Sequence, residues 1–263
     1  MFTLEISLTS QALDAIKIEM NHRLPAVKSS HRCEAIARGL GCGTYAAART
    51  ASRLPGTVSA FVNGRAFTAY LAEHGFNVEP THLYSVVARI AIADIAERYP
   101  RLTDMGIGAG QPWRTDGGKY ETPSEHFTRL QEGRKRLMGE GSVEPFLLCL
   151  ALLARVTRTK TVRPKTNSYW IKHIAENYAA TYPEGGALGP CYVPNGVLIA
   201  AAIHAGFDIR THVDDLGYDS LNTSFNMSNA NLVNLDCEIR PNGARAQDRR
   251  RKEDRRAFRA RFP

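Results

Sequence analysis

The nine residues Phe146 to Ala154, FLLCLALLA, are the longest apolar run in the chain. A bilayer span needs roughly 20 such residues, so a run about half that long does not cross a membrane and a soluble, unexported chain is expected. At 263 residues and 43% hydrophobic content the chain can bury one large core or two small ones. The N-terminus places Glu5 where a secretory leader would carry basic residues before an apolar stretch. A protein of the cytoplasm, without a membrane partner, is expected. The five cysteines are odd in number, widely spaced and form no CxxC pair. Neither a disulfide framework nor a zinc ribbon follows, and no metal or cofactor is expected.

Around that run the pattern is mostly helical. The opening MFTLEISLT alternates Phe2, Leu4, Ile6 and Leu8 with polar residues, the period of a half-buried strand. Ser10 can cap a helix through Met20, and a second helix begins near Ser29 or Ser30, with Pro25 between them. Residues Phe67 to His74 read as a helix. So do His82 to Tyr99, where Leu83, Val86, Val87, Ile90 and Ile95 recur at helical spacing until Pro100 stops them. Helices are also expected over Ser124 to Met138, Val143 to Arg155, Ser168 to Ala180 and Asn195 to His204, the last stopped by Gly206. Between Met105 and Pro123 the glycines at 106, 108 and 110, then Asp116-Gly117-Gly118 between Trp- and Tyr-bearing arms, read as a hairpin. The Asn-, Asp- and Ser-rich stretch from Asp208 to Gly243 reads as loops and short elements. No internal repeat is evident, although His31/Glu34 and His173/Glu176 recur in similar helix starts.

The fold class is therefore mainly α: a multi-helix body with an N-terminal strand and a small β-hairpin, plus an Arg-rich C-terminal helical tail. The body covers residues 1–239, with a sub-boundary near 100–123 as one division, and the tail covers 240–263. The net charge of +8 is concentrated in that tail, which carries ten Lys or Arg against three Asp or Glu. The body is left at only +1, so any anionic partner of the body must be recognised by clustering rather than by total charge.

One such cluster exists. In RVTRTKTVRPKTNSYWIKHIAE, Arg155 to Glu176, no acidic residue occurs before the last. Arg155, Arg158, Lys160, Arg163, Lys165 and Lys172 supply charge for phosphates, the threonines supply donors, and Tyr169 and Trp170 supply flat faces for unstacked bases. The competing expectation puts Trp170, Ile171 and Ile174 in the core and the cations in solvent or against distant acids. The tail adds Arg249, Arg250, Arg251, Arg255 and Arg256. The pairs Asp248/Lys252, Arg249/Glu253 and Arg250/Asp254 at helical spacing favour a solvated helix without an apolar stripe.

A second segment, HRCEAIARGLGCGTYAAARTASR, resembles a helix-turn-helix, with Ala37 permitting close approach and Gly41 making the turn. The resemblance implies that Gly43, Thr44, Tyr45, Arg49 and Arg53 lie on or near the recognition helix, and Arg38 is a further candidate contact to nucleic acid; an ordinary helical hairpin fits the same residues. Weaker features are a wing-like hairpin with Trp113, Arg114, Lys119 and Tyr120, the His212-Val213-Asp214-Asp215 cluster as a metal site or loop cap, and the two His/Glu pairs. The glycines at 106, 108 and 110 match no nucleotide-binding spacing.

These residues point to a nucleic-acid-binding protein, with DNA against RNA open. Two alternatives stand beside it. One is a metal-independent endoribonuclease that processes RNA; the other is a subunit whose basic tail docks an acidic protein partner.

Overall fold

The computed structural model describes residues 2–54, 58–114 and 117–261. The architecture is mainly α with small antiparallel sheets. The first half runs β1 (Glu5–Ser7), α1 (Ser10–Arg23), α2 (Ser29–Gly39), α3 (Tyr45–Ala51), β2 (Ser59–Phe61), α4 (Gly64–Glu73), α5 (Thr81–Arg98), β3 (Leu102–Thr103), β4 (Gly106–Ile107) and α6 (Pro123–Leu137). The second half runs α7 (Val143–Leu153), β5 (Arg158–Asn167), α8 (Ser168–Ala175), β6 (Ala180–Thr181), β7 (Ala187–Leu188), α9 (Asn195–His204), β8 (Ile209–Val213), β9 (Asp219–Met227), α10 (Asn229–Ile239) and α11 (Ala244–Arg261).

The apolar run forms most of α7, as the helix expected from Val143 implies. Every α7 residue except Glu144 is buried, and the helix packs against α5 and α9. The N-terminal alternation also holds: Phe2, Leu4, Ile6 and Leu8 point inward, and β1 pairs antiparallel with β2. Thr9 rather than Ser10 caps α1, its hydroxyl accepting from the Ala12 amide at 3.1 Å. One continuous set of buried apolar side chains extends from Phe2 through α5, α7 and α9 to Leu235.

Three stretches depart from the sequence expectation. The cationic segment after Arg155 is not a connection but a ten-residue strand, β5, paired antiparallel with β9, which pairs in turn with β8. Two register shifts interrupt β5, between Arg158 and Arg163 and between Arg163 and Asn167, so its polar and apolar residues never settle into the period of two that marks a strand. The Asn-rich stretch read as loops and short elements contains the nine-residue β9 and the eleven-residue α10 as well as β8. Its amides bond within the sheet: Asn226 and Asp208 exchange two hydrogen bonds across β8 and β9, of 2.7 and 2.9 Å. The helix expected to run to Ala180 ends at Ala175.

The glycine-rich stretch makes two tight structures. The β3–β4 hairpin was not expected. The expected one survives as a bridge between Arg114 and Tyr120, with the Glu121 amide donating to the Trp113 carbonyl at 2.9 Å; Asp116 lies outside the described residues. Gly106, at φ 135°, faces β9 so closely that a Cβ would overlap the Leu221 carbonyl oxygen. Gly196, at the start of α9, approaches β3 in the same way, and its Cβ would overlap the Thr103 carbonyl oxygen.

The structure also reveals a likeness that the sequence does not advertise. The packed pair α2/α4 and the packed pair α8/α9 share Ile-Ala (36–37 and 174–175), Asn-Gly (63–64 and 195–196) and Gly-Phe (75–76 and 206–207). Both second helices end alike. Gly75 and Gly206 adopt φ 81° and 77°, and the amides of Phe76 and Phe207 each donate at 2.9 Å to a carbonyl five residues back. The intervening loops differ in length and composition, which hides the correspondence.

Candidate nucleic-acid interface

The cationic segment separates into two groups. Arg155 and Lys172 are used internally. Arg155 donates to both oxygens of Glu238 on α10, at 2.9 and 2.8 Å, and its guanidinium lies 5.7 Å from the Tyr178 ring centroid. Lys172 is buried and donates to Glu176 Oε1 at 2.6 Å and to the Val193 carbonyl at 3.2 Å. Arg158 donates to the Ala205 carbonyl and covers the Phe207 ring, with its centroid 5.1 Å away. These three correct the expectation of an open, unmatched run.

Lys160, Arg163 and Lys165 form the second group. All three are exposed, and their side chains make no hydrogen bond or ion pair with a described residue. They lie along β5 and lead directly into α8, because Asn167 ends the strand and also caps the helix, accepting from the Trp170 amide at 2.9 Å. Tyr169, the second residue of α8, is 55% exposed, whereas Trp170 turns inward and its indole N–H donates to Asp236 at 2.7 Å. The flat face available to a ligand is therefore that of Tyr169.

The base of the tail is fixed to the same region. Asp236, itself buried, accepts from Trp170 and Arg240 and forms an ion pair with Arg245 at 3.3 Å, and the Arg245 guanidinium lies 4.0 Å from the Trp170 ring centroid. Helix α10 thus touches the start of β5, where Ser228 and Asn231 bond Thr157, and holds α8 and α11 at its other end. Along α11 only Ala246 is buried. Arg249 donates to Asn234 Oδ1 at 2.7 Å and Arg250 to the Pro241 carbonyl at 2.9 Å; Lys252 pairs with Asp248 at 2.7 Å. Arg251, Arg255 and Arg256 make no hydrogen bond or ion pair with a described residue.

The α2–α3 segment sits elsewhere, packed on α1 and α4. Arg49 and Arg53 are exposed, and Arg38 lies over Tyr70, 5.1 Å from its centroid. Thr44 is occupied as the cap of α3, accepting from Ala47 at 3.1 Å. Tyr45 is half-buried, its hydroxyl pushed above the usual range by burial and then by its neighbour Cys33; its amide donates to Glu34 at 3.0 Å. The segment is a pinned helical corner whose second helix has only seven residues.

The remaining candidates are absorbed by structure. His212 shares a 2.9 Å hydrogen bond with Ser224, and Asp214 closes its own loop, accepting from the amides of Leu216 and Tyr218. His31 is beside Tyr70 rather than bonded to Glu34, while His173 Nδ1 does meet Glu176 Oε2 at 2.6 Å. Burial works against ionising Glu176, but the hydrogen bonds and charges of Lys172 and His173 outweigh it and hold its carboxyl below the usual range. Trp113 covers the Arg129 guanidinium at 4.2 Å, and Arg129 clasps Glu121, tying the hairpin to α6. Arg114 bonds the Gly118 carbonyl at 3.1 Å; Tyr120 is exposed. Among the described residues no three His, Cys, Asp or Glu side chains converge as metal ligands, and no helix is long and apolar enough to cross a membrane.

Sequence reasoning missed Tyr192, which is 70% exposed, and its fixed position beside Lys172, whose ammonium lies 4.8 Å from its ring centroid. It also missed Arg210 on β8, exposed at the far edge of the sheet from β5. The i,i+4 spacing of Lys172 and Glu176 was a signal for their pairing. Compared with protein-family models, curated proteins and solved structures, the chain matches none of them.

Proposed function

We propose that this protein binds nucleic acid along β5 and the start of α8, with the α11 tail adding charge. The observation that carries the reading is the set Lys160, Arg163 and Lys165, exposed on one strand with no carboxylate partner among the described residues and followed by the exposed ring of Tyr169. These cations are open to an external anion, whereas Arg155 and Lys172 of the same segment pair with Glu238 and Glu176 of the chain itself. A polyphosphate fits such a row because each contact releases condensed counter-ions. The test is binding of a fluorescent 20-nucleotide strand across a salt series. Changing Lys160, Arg163 and Lys165 together to glutamine is expected to weaken binding and to reduce the slope of log affinity against log salt by about 0.7 per lost single-strand phosphate contact. A slope that is the same in both proteins rejects this surface.

A second reading, metal-independent RNA cleavage, is favoured by the 2.6 Å His173–Glu176 pair on α8, the helix that follows the cationic strand. A carboxylate on Nδ1 fixes the tautomer and leaves the other nitrogen as a base for a 2′-hydroxyl. RNA incubated with the protein in EDTA separates the two: intact but shifted RNA supports binding alone, whereas discrete fragments that disappear in a His173→Ala protein support cleavage.

A further inference from the structure

We infer that Tyr169 and Tyr192 form a prebuilt stacking platform for unpaired bases, so that the ligand of this surface is single-stranded nucleic acid rather than a duplex. This rests on the nucleic-acid reading above and adds the strandedness of the ligand. The two tyrosines are 55% and 70% exposed, so both rings reach solvent. They come from different elements, α8 and the proline-flanked loop before α9, yet both contact one buried ammonium: Lys172 Nζ lies 5.8 Å from the Tyr169 centroid and 4.8 Å from the Tyr192 centroid.

That ammonium cannot itself serve a phosphate, because Glu176 neutralises it at 2.6 Å. Its effect is to hold the rings by cation–π attraction. The neighbouring backbone is fixed by the same groups: the Val193 carbonyl accepts from Lys172 at 3.2 Å, and the Val193 amide donates to Glu176 at 3.4 Å. Tyr169 also packs against His173, the two rings nearly perpendicular with centroids 4.6 Å apart. Both exposed rings are thus ordered before any ligand arrives, which lowers the entropic cost of using them.

Charge complementarity selects the occupant. Lys165, Arg163 and Lys160 lie immediately upstream of Tyr169 along β5 and make no hydrogen bond or ion pair with a described residue, which suits a backbone of phosphates next to stacked bases. A duplex presents phosphates but buries the base faces, so it can use the lysines and arginine but not the tyrosines.

The experiment compares a labelled dodecamer single strand with the same sequence as a duplex, by anisotropy at fixed salt, for the wild type, Tyr169→Ala, Tyr192→Ala and Tyr→Phe proteins. Single-strand affinity is expected to fall about tenfold for each alanine, while duplex affinity changes little. The phenylalanine proteins, which keep the ring, are expected to bind as the wild type does; this separates lost stacking from misfolding. If both alanine proteins bind the single strand like wild type, or lose strand and duplex equally, the platform is rejected and the charge-based reading stands. If wild type binds neither ligand, both fall together.

Discussion

Single buried residues explain why some charges on this molecule are free and others are not. Asp236 is the clearest case: a carboxylate 2% exposed that receives the Trp170 indole N–H and the guanidinium groups of Arg240 and Arg245. The two arginines are 28% and 50% exposed, so solvent screens their share, and most of the effect belongs to the buried oxygens and the indole donor. Asp236→Ala leaves that donor unsatisfied and is expected to cost on the order of 2–3 kcal/mol, read as a lower urea midpoint at unchanged m-value. Asp236→Asn, which retains an acceptor for Trp170, is expected to cost less. An alanine protein as stable as wild type would show that Asp236 does not hold α8 to the base of the tail. Trp170 also marks a limit of sequence reading at this scale. Its helical neighbours Ile171 and Ile174 pointed inward, but its partner Asp236 is 66 positions away, and no local pattern connects them.

At the scale of elements, legibility followed periodicity. Helices α5 and α7 and the start of α9 could be placed because apolar residues either recur at helical spacing or fill every position. Strand β5 could not, because two register shifts and Pro164 break its alternation, and its pairing partner β9 is a stretch whose Asn and Ser side chains resemble turn residues. The candidate site inherited that division. The unmatched cations were visible in the sequence, but their location on a sheet edge, and the capture of Arg155 by Glu238, depended on contacts too distant to read. The positions where elements cross closely are the most sensitive to substitution. At Gly196 the start of α9 presses against β3, its amide donating to Asp104 at 2.8 Å, and a methyl group would overlap the Thr103 carbonyl. Gly196→Ala is expected to destabilise by about 3 kcal/mol through forced backbone displacement. Gly141→Ala, where a Cβ meets nothing within 4 Å, is the control and is expected to leave the melting temperature within a degree or two. Equal melting temperatures for the two proteins would contradict the close approach.

The whole molecule divides its charge between a nearly neutral body and a tail that contributes little to the core. Beyond its buried Ala246, α11 extends with every described side chain exposed or half-exposed. On the proposed function, its exposed arginines add affinity for an anion and little to folding. Truncation after Gln247 tests this directly. It keeps Arg245 on Trp170 and Ala246 in place, and it removes eight Lys or Arg, among them the exposed Arg251, Arg255 and Arg256. Because almost no apolar surface is lost, the melting temperature of the body is expected to stay within a few degrees of wild type. Nucleic-acid affinity is expected to fall and its salt slope to flatten, by about 0.7 for each single-strand phosphate contact the tail makes. The preference for single strands, which depends on Tyr169 and Tyr192, is expected to survive. A truncated protein with an unchanged salt slope would confine the anion-binding surface to the body. One that unfolded would mean that α11 supports the core in spite of its exposure. The combination expected here, lower affinity with strand preference and stability retained, separates a charge that raises affinity from a surface that selects the ligand.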